Sequence, residues 1–442
     1  MTNLGKCPRL AKFSITVHIM NASMEADQAN EYPDVLNRFL RYVQVYTTSE
    51  DDKEEIPSTQ RQFDLAKLLV EELQAMGIED ANVDEHCIVQ ATILATSAQE
   101  IPTICFVAHV DTSPEEPGEH VQPRILTYDV GTITYPNNPD LVITPEEMPI
   151  LTSLAGEQLV TSDGTTLLGA DDKAGVAEIM AAAAYLMQHP DLPRGTIRLI
   201  FTPDEEVGHG VDAVDVPALQ AECGYTMDGD ELGVIEAECF NAASGSITVK
   251  GYNVHPGYAY GKMVNATRII RDILTLFPDD AAPETTQELE GYSHPLRVQG
   301  SVNEATVDLL LRDFDHDALL AKIQHIKDGI ASIQETWPKA TITANITERY
   351  RNMKEIMDQH PQVTEIAEEA VRRLGVEPRR KAIRGGTDGA RLSFMGLPCP
   401  NLFAGGLNFH SKKEFVPVRW MEQAVQTILN IVDLWAGSSN DT

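Results

Sequence analysis

The sequence predicts an α/β fold in which a mainly parallel sheet is covered by helices and a second, smaller unit is inserted. First, strand-like and helix-like periodicities alternate from residue 59 to about 240, an order typical of parallel sheets. Second, two helices and four strands follow one another in a different order between 241 and 350. Third, helical spacing recurs at about 355–374 and 419–436, which returns the chain to the first unit.

The elements of the larger unit follow from this periodicity. Residues 59–76 have helical spacing, with Phe63, Leu69 and Leu73 on one side of the helix. The other predicted elements are, in order, a strand at 103–108, a helix at 176–187, a strand at 197–201, a short strand before Met227 and a buried strand at 399–404.

The inserted unit has a recognisable order of elements. They are a strand at 246–251, a helix at 262–277, strands at 297–302 and 305–312, a helix through Leu319 and Ile330, and a strand at 340–347. The order β-α-β-β-α-β is that of a ferredoxin-like unit. Its one candidate metal ligand is His255. We therefore interpret residues 241–350 as a lid or dimerisation domain, and residues 33–240 with 351–442 as a discontinuous catalytic domain.

Acidic and histidine side chains cluster where the predicted strands end. Two adjacent carboxylates, Glu205 and Glu206, follow the second buried strand and would repel each other unless a cation lies nearby. Adjacent side chains on an extended segment point to opposite sides, so one could bind a metal while the other serves as a base. His109 and Asp111 close the first buried strand on one shared side. We interpret His109 as a ligand and Asp111 as the residue that orients its ring.

Three further donors occupy comparable positions. Asp171 opens a helical run, Asp228 follows a short strand, and His410 lies in a glycine-rich loop near the C-terminal end. Simpler explanations exist, because an aspartate at a helix start, either Asp171 or Asp172, can act as a cap. An Asp-Gly pair such as the one at Asp228 is also common in turns.

Taken together, the donors predict a site for two metal ions. His109, Asp171, Glu206, Asp228 and His410 comprise two imidazoles and three carboxylates, which is more than one structural zinc ion needs. One bridging carboxylate, with a histidine and a terminal carboxylate for each ion, matches paired ions ~3.5–4 Å apart that activate a water. The neighbouring glutamate would accept that water's proton.

The motifs that carry these donors occur in a fixed order. They are His109-x-Asp111, Gly-Ala-Asp171-Asp-Lys-Ala-Gly, Asp204-Glu205-Glu206-Val-Gly, Asp228-Gly and Phe409-His410. Over roughly residues 33–435 the chain resembles the aminoacylase and glutamate-carboxypeptidase type of di-zinc metallopeptidases. Within that family it is similar to the tripeptide aminopeptidases, through Val254-His-Pro-Gly257 and Ile383-Arg-Gly-Gly-Thr-Asp-Gly-Ala390.

The resemblance implies a role for each metal donor. Asp171 would bridge two zinc ions per subunit, for which cobalt or manganese could substitute, and a cis peptide bond would follow it. His109 and Asp228 would complete the shell of one ion. Glu206 and His410 would complete the shell of the other.

The resemblance also implies catalytic and substrate-binding residues. Glu205 would be the general base and acid, and Asp111 would support the first histidine ligand. Substrate contacts would come from His255, Arg312, Arg384 and Asn265, because a planar guanidinium suits the terminal carboxylate of a peptide. The last loop departs from the family pattern, in which an aromatic residue is more frequent at Leu407 and glycine at Ser411.

The activity implied is hydrolysis of the N-terminal peptide bond of tripeptides. The expected partners are short peptides with a free N-terminus, and the chain could form a homodimer. Two alternatives stay open at this point. One is a related amide hydrolase, such as a dipeptidase, carboxypeptidase or N-acyl amino acid deacylase. The other is a non-catalytic binding protein of the same fold.

Amino-acid composition limits which binding partners and which cellular compartment are expected. The formal net charge of −33, from 67 acidic residues against 34 Lys and Arg, disfavours nucleic acid and anionic membrane surfaces as partners. No apolar run approaches the ~18 residues of a membrane span. The six cysteines are scattered without a CxxC pair, which predicts reduced thiols and a cytoplasmic location. Residues 1–32 precede the resemblance and are expected to form a poorly ordered N-terminal extension.

Overall fold

A computed structural model of the protein describes residues 33–51, 53, 55–97 and 99–438. The predicted N-terminal extension, residues 1–32, lies outside these ranges. The strands in chain order are β1 (Asn82–Val83), β2 (Val89–Ile93), β3 (Ile104–His109), β4 (Arg124–Thr127), β5 (Ile133–Tyr135), β6 (Asn138–Ile143), β7 (Gln158–Thr161), β8 (Ile197–Thr202), β9 (Cys223–Gly229), β10 (Val234–Cys239), β11 (Asn241–Lys250), β12 (Tyr292–Gly300), β13 (Glu304–Asp313), β14 (Thr341–Tyr350), β15 (Arg379–Ile383), β16 (Asn401–Phe403) and β17 (Phe415–Pro417).

The α-helices are fewer and lie mostly around the larger sheet. In chain order they are α1 (Pro33–Tyr42), α2 (Gln62–Ala75), α3 (Ala170–Gln188), α4 (Val216–Leu219), α5 (Ala266–Leu274), α6 (His316–Thr336), α7 (Lys354–Met357), α8 (Pro361–Arg372), α9 (Asp388–Phe394) and α10 (Val418–Ser438). The helix predicted at about 355–374 is instead two helices, α7 and α8. The second begins at Pro361, whose ring has no N–H to donate and suits a first helical position.

The central sheet has the strand order β1-β2-β8-β3-β9-β16-β10-β15. The inner strand β3 pairs in parallel with β8 and β9, and β9 pairs in parallel with β16. Strand β15 at one edge is parallel to β10, whereas the β1–β2, β2–β8 and β10–β16 pairs are antiparallel. The prediction of a mainly parallel sheet is therefore confirmed.

Both faces of the central sheet are covered, which explains why its inner strands are apolar throughout. Along β3, Ile104, Phe106 and Ala108 belong to the large core that includes residues of α1, α3 and α10. The alternate residues Cys105 and Val107 belong to a smaller core with residues near α4 and α9. Successive side chains of a strand point to opposite faces, so a strand between two cores needs apolar residues at every position.

The second large sheet has the order β12-β13-β11-β14, and all its pairs are antiparallel. Ile247 of β11 and Val307 of β13 pack with Ile269 of α5 and Ile326 of α6 in a separate core. The predicted β-α-β-β-α-β order is confirmed. Helix α5 starts later than predicted because the side chain of Asn265 accepts the backbone N–H of Thr267 and caps the helix there.

Residues 124–161 contribute β4, β5, β6 and β7, which the periodicity did not predict. Strands β17, β7 and β4 form a three-stranded sheet, and β5 and β6 form a two-stranded one. Their half-exposed alternation is short and weak, so it gives little signal before the chain is folded. Among the helices in the described part of the chain, none combines the length and apolar character that a membrane crossing requires.

Candidate metal centre and active-site cavity

The five predicted metal donors lie together at the carboxyl-terminal edge of the central sheet. His109 ends β3, Asp228 lies near the end of β9, and Glu206 lies in a short 3-10 turn just after β8. Asp171 lies at the start of α3, and His410 lies in the loop between β16 and β17. Carboxyl ends of parallel strands meet at one edge of a sheet, which is where open α/β sheets bind ligands. The edge opens into a cavity of about 1460 Å³.

Asp171 offers one carboxylate oxygen to each histidine. Its Oδ1 lies 3.0 Å from Nε2 of His109, and its Oδ2 lies 3.2 Å from Nε2 of His410. The peptide bond that joins Asp171 to Asp172 is cis, as the family resemblance implies. A carboxylate that faces two imidazoles through separate oxygens has the arrangement of a bridging ligand.

Each histidine also faces a second carboxylate. Nε2 of His109 lies 3.5 Å from Oδ1 of Asp228, and Nε2 of His410 lies 2.7 Å from Oε2 of Glu206. The donors thus form two trios, each with one histidine and one terminal carboxylate, that share Asp171. The sequence predicts such trios for a two-metal site, and the roles of the five residues as metal ligands stay a prediction.

The carboxylates of the cluster are buried close to one another, and this shifts their pKa values. Burial, together with the charge of Asp171, raises the pKa of Glu206 to about 8 and that of Asp228 to about 6. Burial opposes protonation of His410, yet hydrogen bonds to Asp171 and Glu206 raise its pKa to about 11. Buried carboxylates that raise one another's pKa are stabilised by a nearby positive charge.

The donor atoms fit a metal centre. One ligand atom from each of His109, Asp171 and Glu206 lies within 4.8 Å of the others, and the same holds for His109, Asp172 and Asp228. Oε1 of Glu206 and Oδ1 of Asp172 are buried and have no hydrogen-bond partner among the described residues. Buried oxygens without donors are costly unless a cation is bound.

Asp172 is the one member of these groups to which the sequence assigned no role. Its Oδ2 accepts the backbone N–H of His109 at 3.1 Å, so one oxygen holds the end of β3. Burial raises its pKa well above the ordinary range. Since only Asp171 faces both histidines, Asp172 fits a supporting position better than a bridging one.

Asp111 lies behind the metal donors and contacts both neighbouring strand ends. Its Oδ1 lies 3.2 Å from Nδ1 of His109, on the ring nitrogen that faces away from Asp171. Its two carboxylate oxygens also accept the backbone N–H groups of Glu205 and Glu206 at 3.1 and 3.3 Å. One fully buried carboxylate therefore orients a ligand ring and holds the turn that carries the glutamate pair.

Glu205 lines the cavity beside the two trios. In the part of the chain that the structure describes, its carboxylate makes no hydrogen bond or ion pair, so it is available to a water or a substrate. Burial, followed by the charge of Asp228, raises its pKa well above the ordinary range of a glutamate. A carboxylate with a raised pKa is suited to accept and return a proton near neutral pH.

The turn that presents the glutamate pair is fastened by residues that the sequence did not identify. Asp204 has a left-handed backbone, with φ of 52°, and is buried. Its carboxylate accepts the Ser58 hydroxyl and backbone N–H at 2.5 Å and the Gln62 amide at 2.6 Å. The Gln62 side-chain oxygen accepts the Asp204 N–H at 3.1 Å in return. The start of α2 thus supports a turn 142 residues away in sequence.

Glu414 supports the bridging aspartate from the other side. Its Oε2 accepts the backbone N–H groups of Leu168 and Gly169 at 2.8 and 2.7 Å, and its Oε1 accepts that of Asp171 at 2.9 Å. The side chain is buried, and burial raises its pKa to about 7. The one indication of this role in the sequence is that an acidic residue follows His410 by four positions, and this spacing alone does not predict a contact with Asp171.

We expect Glu414→Ala to lower both stability and metal affinity. Three buried N–H groups would lose their acceptor, which should lower the free energy of unfolding by about 3 kcal/mol or more. Displacement of Asp171 should weaken metal binding roughly 10- to 100-fold, as is usual for residues that orient ligands. Urea unfolding and elemental analysis of the dialysed protein measure the two effects.

Glu157→Ala is the matched control, because Glu157 forms a surface ion pair with Arg419 and should contribute less than about 1 kcal/mol. Equal losses of stability in the two variants, with full metal content in both, would contradict a supporting role for Glu414.

The structure brings two of the four predicted substrate-binding residues to the cavity. Arg312 and Arg384 both line it. Nη1 of Arg312 donates to the carbonyl of Arg384 at 2.7 Å, and its buried Nε has no hydrogen-bond partner in the described residues. The guanidinium of Arg384 donates to the carbonyls of Glu288 and Glu290 at 2.7 and 2.9 Å. Arg384 therefore anchors the loop before β12 in this conformation.

His255 and Asn265 do not line the cavity. His255 is exposed at the start of a 3-10 turn, where its Nδ1 accepts the backbone N–H of Gly257 at 3.2 Å. The Asn265 side chain is engaged in capping α5, with its oxygen 3.0 Å from the Thr267 nitrogen. Their predicted contacts with substrate stay predictions, because neither side chain reaches the donor cluster in this arrangement.

Comparison with known proteins identifies the family. Residues 161–434, more than half of the chain, match the model of peptidase family M20/M25/M40. Peptidase T of Geobacillus thermodenitrificans (strain NG80-2) is 45% identical over 403 residues, which cover 91% of this chain and 98% of that protein. The chain belongs to peptidase family M20/M25/M40. The family resemblance inferred from the motifs is thereby confirmed.

A second relative and two solved structures are also similar to this M20 family protein. Peptidase T of Caldanaerobacter subterraneus subsp. tengcongensis is 44% identical over 402 residues, with 91% of this chain and 98% of that protein covered. The crystal structure of the aminopeptidase PepT from Bacillus cereus ATCC 10987 matches with a TM-score of 0.71 and 23% identity, over 91% of this chain and 98% of that chain. The crystal structure of a tripeptidase from Staphylococcus aureus subsp. aureus Mu50 matches with a TM-score of 0.72 and 22% identity, over the same shares of the two chains. These structural matches confirm the fold.

Proposed function

We propose that this M20 family protein is a metal-dependent aminopeptidase that hydrolyses the N-terminal peptide bond of tripeptides. The observation that carries the proposal is the pair of trios that share Asp171, beside a cavity that Glu205, Arg312 and Arg384 also line. The relatives that match over nearly their whole length are named peptidase T, which supports the tripeptide as substrate class.

Two zinc ions are the proposed cofactors. His109 and Asp228 would hold one ion, His410 and Glu206 the other, and Asp171 both, with cobalt or manganese as substitutes. Imidazole nitrogen and carboxylate oxygen are ligands that zinc accepts. Paired divalent ions supply an activated water and polarise the substrate carbonyl.

Glu205 performs the proton transfers in this proposal. Its carboxylate takes a proton from the attacking water as the water adds to the first carbonyl carbon. It then returns that proton to the leaving amine as the C–N bond breaks. Asp111 keeps the adjacent turn in place through the backbone N–H of Glu205.

The substrate would be held from the inserted unit. Arg312 is the proposed partner of the peptide carboxylate. Its buried Nε has no hydrogen-bond partner in the described residues, and the guanidinium lies 6.0 Å from the ring centroids of Tyr292 and Tyr350. His255 could stabilise the developing oxyanion after movement of residues 241–350 as a lid, or from a second subunit of a homodimer. Its exposure, beside the exposed Tyr258, leaves its ring accessible for either arrangement.

A cytoplasmic location is part of the same proposal. The five cysteines in the described residues, Cys87, Cys105, Cys223, Cys239 and Cys399, are buried free thiols. Thiols persist in this form in a reducing compartment.

A panel of four compounds tests the activity. We expect the zinc-loaded protein to release Leu from Leu-Gly-Phe and to leave Leu-Gly, N-acetyl-Leu-Gly-Phe and N-acetyl-Leu intact. Chelation should abolish the reaction and added zinc should restore it, because metal affinity resides in the five donors. Products are separated and quantified by chromatography.

Each outcome of the panel separates one alternative. Release of Phe from the tripeptide would indicate a carboxypeptidase, and rapid cleavage of Leu-Gly a dipeptidase. Cleavage of N-acetyl-Leu would indicate a deacylase. Binding of Leu-Gly-Phe without any turnover, in protein shown to carry two ions, would indicate a non-catalytic binding protein.

A further inference from the structure

Glu236 of β10 is a cavity-lining carboxylate to which the reaction above gives no role. The residue is only 6% exposed, and its Oε2 accepts an N–H from the side chain of Asn401 at 2.8 Å. Among the residues that the structure describes, it has no ion-pair partner. The buried carboxylate therefore has one oxygen engaged by a neutral donor and no cationic partner in the described part of the chain.

Asn401 ties this carboxylate to the metal donors. Glu236 and Asn401 are directly paired across β10 and β16. The Asn401 side-chain oxygen accepts the backbone N–H of Asp228 at 3.2 Å and the hydroxyl of Thr226 at 2.8 Å. Glu236 is thus held one carboxamide away from the strand end that carries a metal ligand, and Asn401 sets its orientation.

The surroundings of Glu236 favour a cation brought in by a ligand. Burial, followed by the charge of Asp230, raises its pKa to about 8. Lys381 is nearby, but its ammonium group donates to Oδ2 of Asp230 at 2.5 Å. A positive group placed against Glu236 would offset both the burial and the adjacent negative charge.

Peptide geometry limits where the free amine of a substrate can lie. The amine nitrogen is separated from the reacting carbonyl carbon by one Cα atom, a distance of about 2.5 Å. Its acceptor must therefore lie close to the metal donors. Glu236 lines the same cavity as Asp228 and is joined to the Asp228 backbone through Asn401, whereas Arg312 and Arg384 suit the opposite, carboxylate end of a peptide.

We propose that Glu236, oriented by Asn401, receives the α-ammonium group of the peptide's N-terminal residue and so selects substrates whose N-terminus is free. The inference rests on the proposed aminopeptidase function and assigns the residue that recognises the free amino group of the substrate. It gives Glu236 a contact with substrate and no part in the proton transfers of Glu205.

Asp388 is a second acid of the cavity wall without an ion pair in the described residues, and it fits this role less well. Its Oδ2 accepts the Thr202 hydroxyl at 2.7 Å. Both its carboxylate oxygens lie against the backbone of Gly210, where an added Cβ would be 2.3 and 2.5 Å from them. The turn at Gly210 therefore occupies the space in front of Asp388 that an ammonium group would need.

The test compares Leu-Gly-Phe with its analogue in which a hydroxyl replaces the α-amino group. We expect Glu236→Gln to lower the ratio of kcat/KM between amine and hydroxyl substrates roughly 10- to 100-fold, mainly through KM of the amine. Glutamine can still accept from Asn401, so the wall is preserved. Glu348→Gln removes the same charge from another part of the wall, where Glu348 pairs with His316, and should leave the ratio within about twofold.

Two outcomes would overturn the proposal. One is an equal loss on both substrates in Glu236→Gln, which would show a structural role. The other is an equal change of the ratio in the two variants, which would show a general charge effect. A wild-type protein that leaves Leu-Gly-Phe intact would contradict the proposed function instead.

Binding without turnover provides an independent reading. Calorimetric titration of Leu-Gly-Phe into zinc-loaded Glu205→Ala protein should give a Kd that weakens about tenfold or more when Glu236→Gln is added. The Kd of the hydroxyl analogue should stay within about twofold. An unchanged Kd for the amine peptide in the double variant would overturn the assignment even if no peptide is cleaved.

Discussion

Glu205→Ala is expected to lower kcat for Leu-Gly-Phe by about 10²- to 10⁴-fold, the range that a positioned general base contributes. Glu205 belongs to neither histidine–carboxylate trio, and its carboxylate has no hydrogen bond or ion pair in the described structure. Its removal should therefore leave both ions bound. Elemental analysis gives the metal content, and steady-state kinetics on the same preparation gives kcat and KM.

Glu50→Ala is the matched control for this experiment. Glu50 also lines the cavity, where its carboxylate pairs with Arg61 at 2.7 Å, and it lies outside the two trios. We expect its kcat to stay within about threefold of the wild type, as for a surface ion pair. A near-normal kcat in Glu205→Ala with two ions bound would contradict the role of general base.

Asp171→Ala and His410→Ala should separate the two halves of the metal centre. Asp171 faces both histidines, so its loss should remove both ions, whereas loss of His410 should remove only the ion that it shares with Glu206. Either change should lower kcat/KM by about 10³-fold or more. A bound ion supplies several kcal/mol of charge stabilisation, and each ~1.4 kcal/mol is a factor of ten.

Metal content after dialysis is the deciding measurement, with circular dichroism as the check on folding. His209→Ala serves as the control because His209 is an exposed histidine of the cavity wall that pairs with Asp212 at 2.8 Å. It should retain two ions. Two ions retained in Asp171→Ala, or an equal loss in the His410 and His209 variants, would contradict a centre that shares one aspartate.

Local sequence patterns were sufficient for the order of elements in the inserted unit, for the buried strands of the central sheet that precede the candidate donors, and for the donors themselves. A strand with cores on both faces must be apolar throughout, so the β3 segment could be read as buried, and the charged residues that follow it mark its end. The β-α-β-β-α-β order could also be predicted from hydrophobic periodicity. Periodicity reports which face of each element is buried, and that information is local.

The ends of the helices, and the side chains that cap them, were harder to predict from the sequence. Asn265, for which the family resemblance implies a substrate contact, has a side chain that caps α5, and spacing did not reveal this cap. One predicted helix near residue 360 is two, because Pro361 begins a new one. Both features depend on hydrogen bonds at helix ends, where the competing uses of a side chain cannot be ranked from spacing alone.

What the sequence by itself determined was the fold class, the family and the set of donors that converge at one sheet edge. Only the tertiary structure decided how those donors are held. Glu414 reaches back 243 residues to the Asp171 nitrogen, and Gln62 reaches 142 residues to Asp204. The same holds for Asn401, which links Glu236 to Asp228, and for the exposed position of His255. Such contacts depend on where distant backbone N–H groups come to lie after folding, and local periodicity contains no information about that.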